Sequence, residues 1–206
     1  MSATVAGPHH HAEHAERSQA SRRIISGYGF WIFLLSDIVM FSALFAGYAV
    51  LESATAGGPH GRDLFNIRSV AIETACLLIS SYTCGLASIG AAMRRNALFH
   101  GAMAITAILG AAFLGLELSE FAGMVAKGAG PGRSAFLSAF FTLVGCHGLH
   151  VFLGLLWLLT MMAQVAAKGY RPDIMRRVLC FNLFWHALDI IWVAIFTVVY
   201  LMGVVA

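Results

Sequence analysis

The chain has 206 residues, 59% hydrophobic and only 11% charged, with a mean hydropathy of +0.79 and a formal charge of +3. A soluble domain carries about 25% charged residues, so this composition excludes a water-soluble globular protein and marks an integral membrane bundle. The small, scattered positive charge also argues against a nucleic-acid partner.

In chain order, the first feature is "GPHHHAEHAE", with His9, His10, His11 and His14. Such a run is a compositional signal rather than a built metal site, and residues 1–26 are expected to form a disordered, His-rich cytoplasmic tail. Apolar segments follow at 28–51, 70–92, 97–120, 134–166 and 178–205. Each reaches the ~20 residues a helix needs to cross ~30 Å of hydrocarbon. Backbone polar groups in lipid must be satisfied within the segment, and the alternating ten-residue pattern of a barrel is missing. Five transmembrane helices over residues 27–206 are therefore expected, the fourth long enough to tilt or project. The first segment lacks a cleavable signal pattern, because an acidic residue interrupts it and the His-rich run precedes it.

The connections carry turn chemistry. "SATAGGPHGRD" places Gly57, Gly58, Pro59 and Gly61 between helices 1 and 2, residues that break a helix. "KGAGPGRS" separates helices 3 and 4, with Ser134 as the expected N-cap of the fourth. Neither has the Lys-Ser/Thr ending of a phosphate loop. Cys76, Cys84, Cys146 and Cys180 lack metal-ligand spacing and read as small apolar fillers. Small residues recur four apart at Ala107, Ala111 and Gly115, and at Cys84, Ser88 and Ala92, stripes that would let helices approach closely.

Basic residues set the expected orientation. Arg17, Arg22, Arg23, Arg94, Arg95, Lys168, Arg171, Arg176 and Arg177 share one side of a five-span topology, against Arg62, Arg68, Lys127 and Arg133 on the other. The richer side is cytoplasmic by the positive-inside rule, which places the N-terminus inside and the C-terminus in the periplasm.

The ionisable residues inside the spans need a reason, since each costs about 2.5–3.5 kcal/mol at mid-depth on insertion scales. Asp37, His147, His150, His186 and Asp189 fall near mid-membrane, and Glu73, Glu117 and Glu120 near the outer end. His147/His150, Glu117/Glu120 and His186/Asp189 are each three apart, so each pair shares a helix face. Three readings compete. Histidines at matched depth could ligate haem, as in a small membrane cytochrome b using His147, His150 and His186. A di-iron site would want Glu-x-x-His pairs, whereas the pairs here are unmixed. The third reading is a network of hydrogen-bonded polar side chains that fixes helix packing and holds lipid or a partner.

Three stretches, "FWIFLLSDIVMFSALFAGYAV", "GPGRSAFLSAFFTLVGCHGLHVFLGLLW" and "LFWHALDIIWVAIFTVVYLMG", resemble subunit III of the haem–copper terminal oxidases over about residues 26–205. The five-helix length, the "TAGGPHGRD" loop, the ending "FTVVYLMG" and the His-rich tail are most similar to the bo-type ubiquinol oxidase version; subunit III of a cytochrome c oxidase is the alternative. The resemblance implies an accessory subunit with no redox centre. Haem and copper would lie in subunit I, which this chain would contact directly, with subunits II and IV in the same complex. It also implies two helix groups, 1–2 and 3–5, around a V-shaped cleft filled by structural phospholipids that sustain turnover and proton uptake. The family's Ser-Glu acid is matched by Asp37, a shorter side chain, and its Ser-Glu-aromatic acid by Glu120. Its His-Gly-Leu-His pair is matched by His147 and His150. Its Trp-His-x-x-Asp-x-x-Trp run is matched by Trp185, His186, Asp189 and Trp192. Trp31, Glu73 and Arg133 complete the residues expected in the lipid cleft or the interhelical polar network. His186 with Asp37 and His147 with Glu120 are the expected His–acid pairs.

Overall fold

The computed structural model describes the backbone of residues 8–57 and 66–205, and the side chains of 27–57 and 66–204. The described residues are almost entirely helical. Helix α1 is Pro8–Leu51, α2 Ile67–Ala92, α3 Asn96–Ala126 and α4 Ala135–Lys168. Helix α5 is Pro172–Ile195, continued by a π-helical turn, Phe196–Leu201, and a last turn, Met202–Val205. Five stretches within these helices are long and apolar enough to cross a membrane. The 34 residues of α4 span about 51 Å at ~1.5 Å per residue, well beyond the hydrocarbon thickness. The tail expected over 1–26 is helical in backbone from Pro8 onward, and residues 1–7 lie outside the described residues.

The helix ends follow local chemistry. Ser134 caps α4, its hydroxyl accepting from Leu137 N at 3.2 Å. Asn66 caps α2 by accepting from Arg68 N. Pro172 opens α5, where a missing N–H costs nothing. The turn from α2 to α3 takes only three residues, with Arg94 left-handed (φ 54°) and Arg95 N returning to Gly90 O at 2.9 Å. Gly90 is required there, because a Cβ would lie 2.9 Å from Phe99 N. The first interhelical loop is left-handed at Ala56 and Gly57; Gly58, Pro59 and Gly61 lie outside the described residues.

The chain divides into two units, Met1–Asp37 and Ile38–Ala206. In the first, the described face of α1 is largely apolar and exposed, with Trp31 at 55%. In the second, α2 packs along α3 and against α5, α4 packs on α3 and α5, and the C-terminal part of α1 meets α4. Phe41 lies edge-on to His147 and His150, Tyr48 tilts against Phe136, and Phe136 N donates to Ala54 O. The expected grouping of helix 2 with helix 1, apart from helices 3–5, does not describe these contacts: α2 is joined to α3 and α5 by close packing and side-chain hydrogen bonds.

Unlike a soluble protein, the bundle carries large apolar residues on its outside as well as in its core, and keeps several polar groups inside. Glu73, Ser80, Ser81, Thr83, Thr106, Glu117 and His147 are buried, while Ile72, Leu78, Ile79, Ile105, Ile108, Leu149, Leu153 and Ile190 are exposed. With hydrocarbon as solvent, apolar faces gain nothing by turning inward, and polar groups find partners only inside. The stripe at Ala107, Ala111 and Gly115 is therefore not the interface: Ala111 and Gly115 are exposed. The buried face of α3 is Met103, Thr106, Gly110, Phe113 and Glu117.

Candidate functional site

Two tryptophans of α5 organise the interior. Trp185 is 2% exposed, and its ring fills notches left by two glycines. A Cβ at Gly110 of α3 would lie 3.0 Å from the indole, and one at Gly154 of α4 also 3.0 Å from it. Its Nε1 donates to Ser80 Oγ of α2 at 3.0 Å. One side chain thus touches all three neighbouring helices. Two turns on, Trp192 is fully buried, donates to Thr74 Oγ1 of α2 at 3.0 Å, stacks on His147 of α4 and meets Phe113 of α3 edge-on at 4.6 Å.

Around these rings runs a ladder of small polar contacts. His186 Nδ1 pairs with Ser81 Oγ at 2.6 Å, and Asp189 interacts with the same serine and with His186. Thr83 and Thr106 share a hydroxyl hydrogen bond at 2.7 Å across α2 and α3. Cys84 Sγ donates to Asn182 Oδ1 at 3.3 Å across α2 and α5. None of the four cysteines is in a disulfide.

The histidines of "GCHGLH" have different surroundings. His150 donates from Nδ1 to Cys146 O of its own helix at 2.7 Å. His147 is completely buried among Trp192, Phe113 and Phe41, with neither ring nitrogen hydrogen-bonded. It is an aromatic packing element here, not the hydrogen-bonding post expected from sequence, and the His147–Glu120 pair does not form. His186 bonds Ser81. The glycine between the histidines has its own purpose: a Cβ at Gly148 would lie 2.7 Å from both carboxylate oxygens of Glu117. Gly148 thus makes room on α4 for an acid from α3.

Glu117 belongs to a second cluster near the α1–α2 and α3–α4 loops. Glu73 and Glu117 are 1% and 2% exposed, and no oxygen of either is hydrogen-bonded. Glu120 accepts from Tyr200 Oη at 3.4 Å. Glu73 and Glu120 line a cavity of about 210 Å³ together with Asn66, Ser69, Ser119, Gly123 and Lys127. Arg133 is exposed nearby in sequence, on the α3–α4 loop. No group of three or more His, Cys, Asp or Glu among the described residues is arranged to hold a metal.

Sequence reading singled out the ionisable side chains and the tryptophans but missed Thr74, Ser80, Ser81, Thr83, Thr106, Asn182 and Tyr200. The available signal was "ISSYTCG", a hydroxyl-rich run inside an apolar span. It also missed Gly110, Gly148 and Gly154, whose role depends on which ring or acid faces them.

A family model described as cytochrome c oxidase subunit III matches residues 8–204. Cytochrome bo(3) ubiquinol oxidase subunit 3 of Pseudomonas aeruginosa is 52% identical over 176 residues, covering 85% of this chain and 84% of that protein. Its counterpart in Pseudomonas putida is 48% identical over 85% of each. Quinol oxidase subunit 3 of Bacillus subtilis is 43% identical over 201 residues, covering 94% of this chain and 97% of that protein.

The Ser81–His186 contact is expected to couple α2 to α5 by about 0.6 kcal/mol, the average for intramembrane hydrogen bonds, and by no more than about 1.7 kcal/mol. A double-mutant cycle with Ser81→Ala and His186→Phe, read by thermal unfolding in detergent, checks it. Strict additivity would show that the contact contributes nothing.

Proposed function

The chain belongs to the cytochrome c oxidase subunit III family, and we propose that it is the accessory subunit III of a terminal ubiquinol oxidase of the aerobic respiratory chain. The observation that carries this is identity of up to 52% to proteins named as quinol oxidase subunit 3, over most of both chains. Those names favour quinol over cytochrome c as the electron donor of the complex. In this reading the chain is a non-catalytic part of a proton-translocating quinol:oxygen oxidoreductase in the bacterial plasma membrane. Haem and copper belong to subunit I, its direct neighbour, with subunits II and IV completing the assembly.

The interior supports a scaffold role over a haem anchor. His150 is spent on its own backbone, His186 on Ser81, and His147 lies between aromatic rings. A haem bound by two of them would have to displace those contacts. The exposed apolar faces of α1 to α5 suit acyl chains or the apolar helices of a partner. Structural phospholipids on these faces remain part of the proposal, without a cleft between α2 and α3, which are packed together. We assign Trp31, Arg133 and Asp37 to the residues that meet lipid or join the interhelical polar network.

A tagged chain purified in mild detergent is expected to bring down a haem- and copper-containing subunit with quinol oxidase activity. Recovery of the chain alone with a stoichiometric Soret band, lost in His186→Ala, would favour the cytochrome instead. For orientation, we infer a cytoplasmic N-terminus from the nine-to-four split of basic residues. A periplasm-dependent reporter should be active when fused after Ala206 and silent after Arg95; the reverse pattern would invert the topology.

A further inference from the structure

The acid cluster is not needed to explain a scaffold. Glu73 comes from α2, Glu117 and Glu120 from α3, and the three lie within electrostatic range of one another. Five of their six carboxyl oxygens are buried without a hydrogen-bond partner. Isolated ionised carboxylates in such a place are untenable, because burying an unpaired charge costs far more than burying a neutral polar group. A cationic side chain would be the usual remedy. Among the described residues the one ion pair is Arg171–Asp173, outside this cluster, and Lys127 borders the cavity without pairing to an acid. A metal ion would need converging ligands, and the described residues offer no such group. The remaining way to cancel the charge is protonation.

Two further features mark the cluster as built to exchange those protons. The cavity of about 210 Å³ has Glu73 and Glu120 in its wall, with Asn66, Ser69, Ser119 and Lys127 as polar lining. Glu73, 1% exposed and unpartnered, is a buried acid at that wall. The second feature is the π-helical turn Phe196–Leu201, in which Val199 and Tyr200 are both buried. An extra residue per turn rotates the helix beyond it, and such turns recur at functional sites. Here the turn contains Tyr200, whose hydroxyl reaches Glu120 and which lies within electrostatic range of all three acids.

We propose that Glu73, Glu117, Glu120 and Tyr200 form a membrane-embedded proton-binding site, which holds protons shared among its carboxyls and exchanges them with water through the adjoining cavity. The titratable groups around it are Lys127 on α3, at the cavity, and His147 on α4, next to the Gly148 notch that seats Glu117. Coupled carboxyls release their protons in steps that belong to the cluster rather than to one residue. The site goes beyond the accessory-subunit reading and does not depend on which face of the membrane the cavity meets.

Infrared difference spectroscopy of the intact purified complex, with buffer exchanged between acid and alkaline pH, tests this. Wild-type protein should show protonated-carboxyl C=O bands that respond to pH and shift in D2O. Glu117→Gln should remove one of them, and Glu73→Gln should displace those that remain, which unshared carboxyls would not do. Tyr200→Phe, which keeps the ring, should raise the Glu120 band by removing its hydrogen bond; this variant decides the matter if the Gln variants do not assemble. Gly123→Leu should slow the D2O shift several-fold by filling the cavity, since a Cβ there meets nothing within 4 Å. Bands unchanged in all three acid-cluster variants would overturn the site. An equal exchange rate in Gly123→Leu would overturn the route. Neither result would touch the copurification that tests the subunit's role.

Discussion

The fold depends on one wedge: the Trp185 indole, seated between Gly110 and Gly154 and tied to Ser80. In a bilayer, helices gain little from burying apolar surface against one another, since lipid offers the same contact. Close packing must supply what the hydrophobic effect does not. A large flat ring entering two glycine notches gives dense contact over three helices, and its N–H is satisfied at the same time. Trp192 repeats the arrangement two turns on, exchanging a glycine notch for an aromatic stack on His147.

This wedge explains the order of the rest. Because α5 presents both indole N–H groups to α2, the groups of α2 that meet them must be acceptors, and here they are hydroxyls. Thr74 and Ser80 accept from the two rings, and Ser81 meets His186. Because α5 and α3 both hold α2, the interior lies where α2 to α5 meet, and that is where the buried Glu, His, Ser and Thr residues gather. The acid cluster lies beyond the last indole, where the π-helical turn brings in Tyr200. The hydrogen-bonded ladder and the unpartnered carboxyls of Glu73 and Glu117 are therefore separated along the bundle, the acids toward one end.

Much of this was legible in the sequence, for physical reasons. Hydrocarbon thickness and backbone satisfaction fix helix number from apolar length alone, and Ser134 reads as a cap because it follows a Gly-Pro-Gly turn and precedes an apolar run. The oxidase-like motifs drew notice to Trp185, His186, Asp189 and Trp192, and in the structure Trp185, His186 and Trp192 each hydrogen-bond a hydroxyl of α2. Pairing was not legible. Spacing of three shows that His147 and His150 share a face, but not that one bonds its own backbone while the other lies among rings. Glycine roles were equally hidden: Gly148 and Gly154 read as ordinary small residues until a carboxyl and an indole are placed against them. The helix grouping failed for a related reason. Which helix α2 packs against is decided largely by hydroxyls and glycines, and of the ionisable residues that drew notice His186 and Asp189 bear on it through Ser81.

The account's central claim is that ring packing at Trp185, rather than its hydrogen bond, locks the bundle. Thermal unfolding of the detergent-purified protein separates the two. Trp185→Ala should cost about 3–5 kcal/mol, the range for deleting a buried aromatic ring, while Ser80→Ala, which leaves the indole N–H buried without its acceptor, should cost less, about 1–3 kcal/mol. Equal losses in the two variants, or a Trp185→Ala protein as stable as the parent, would contradict the claim.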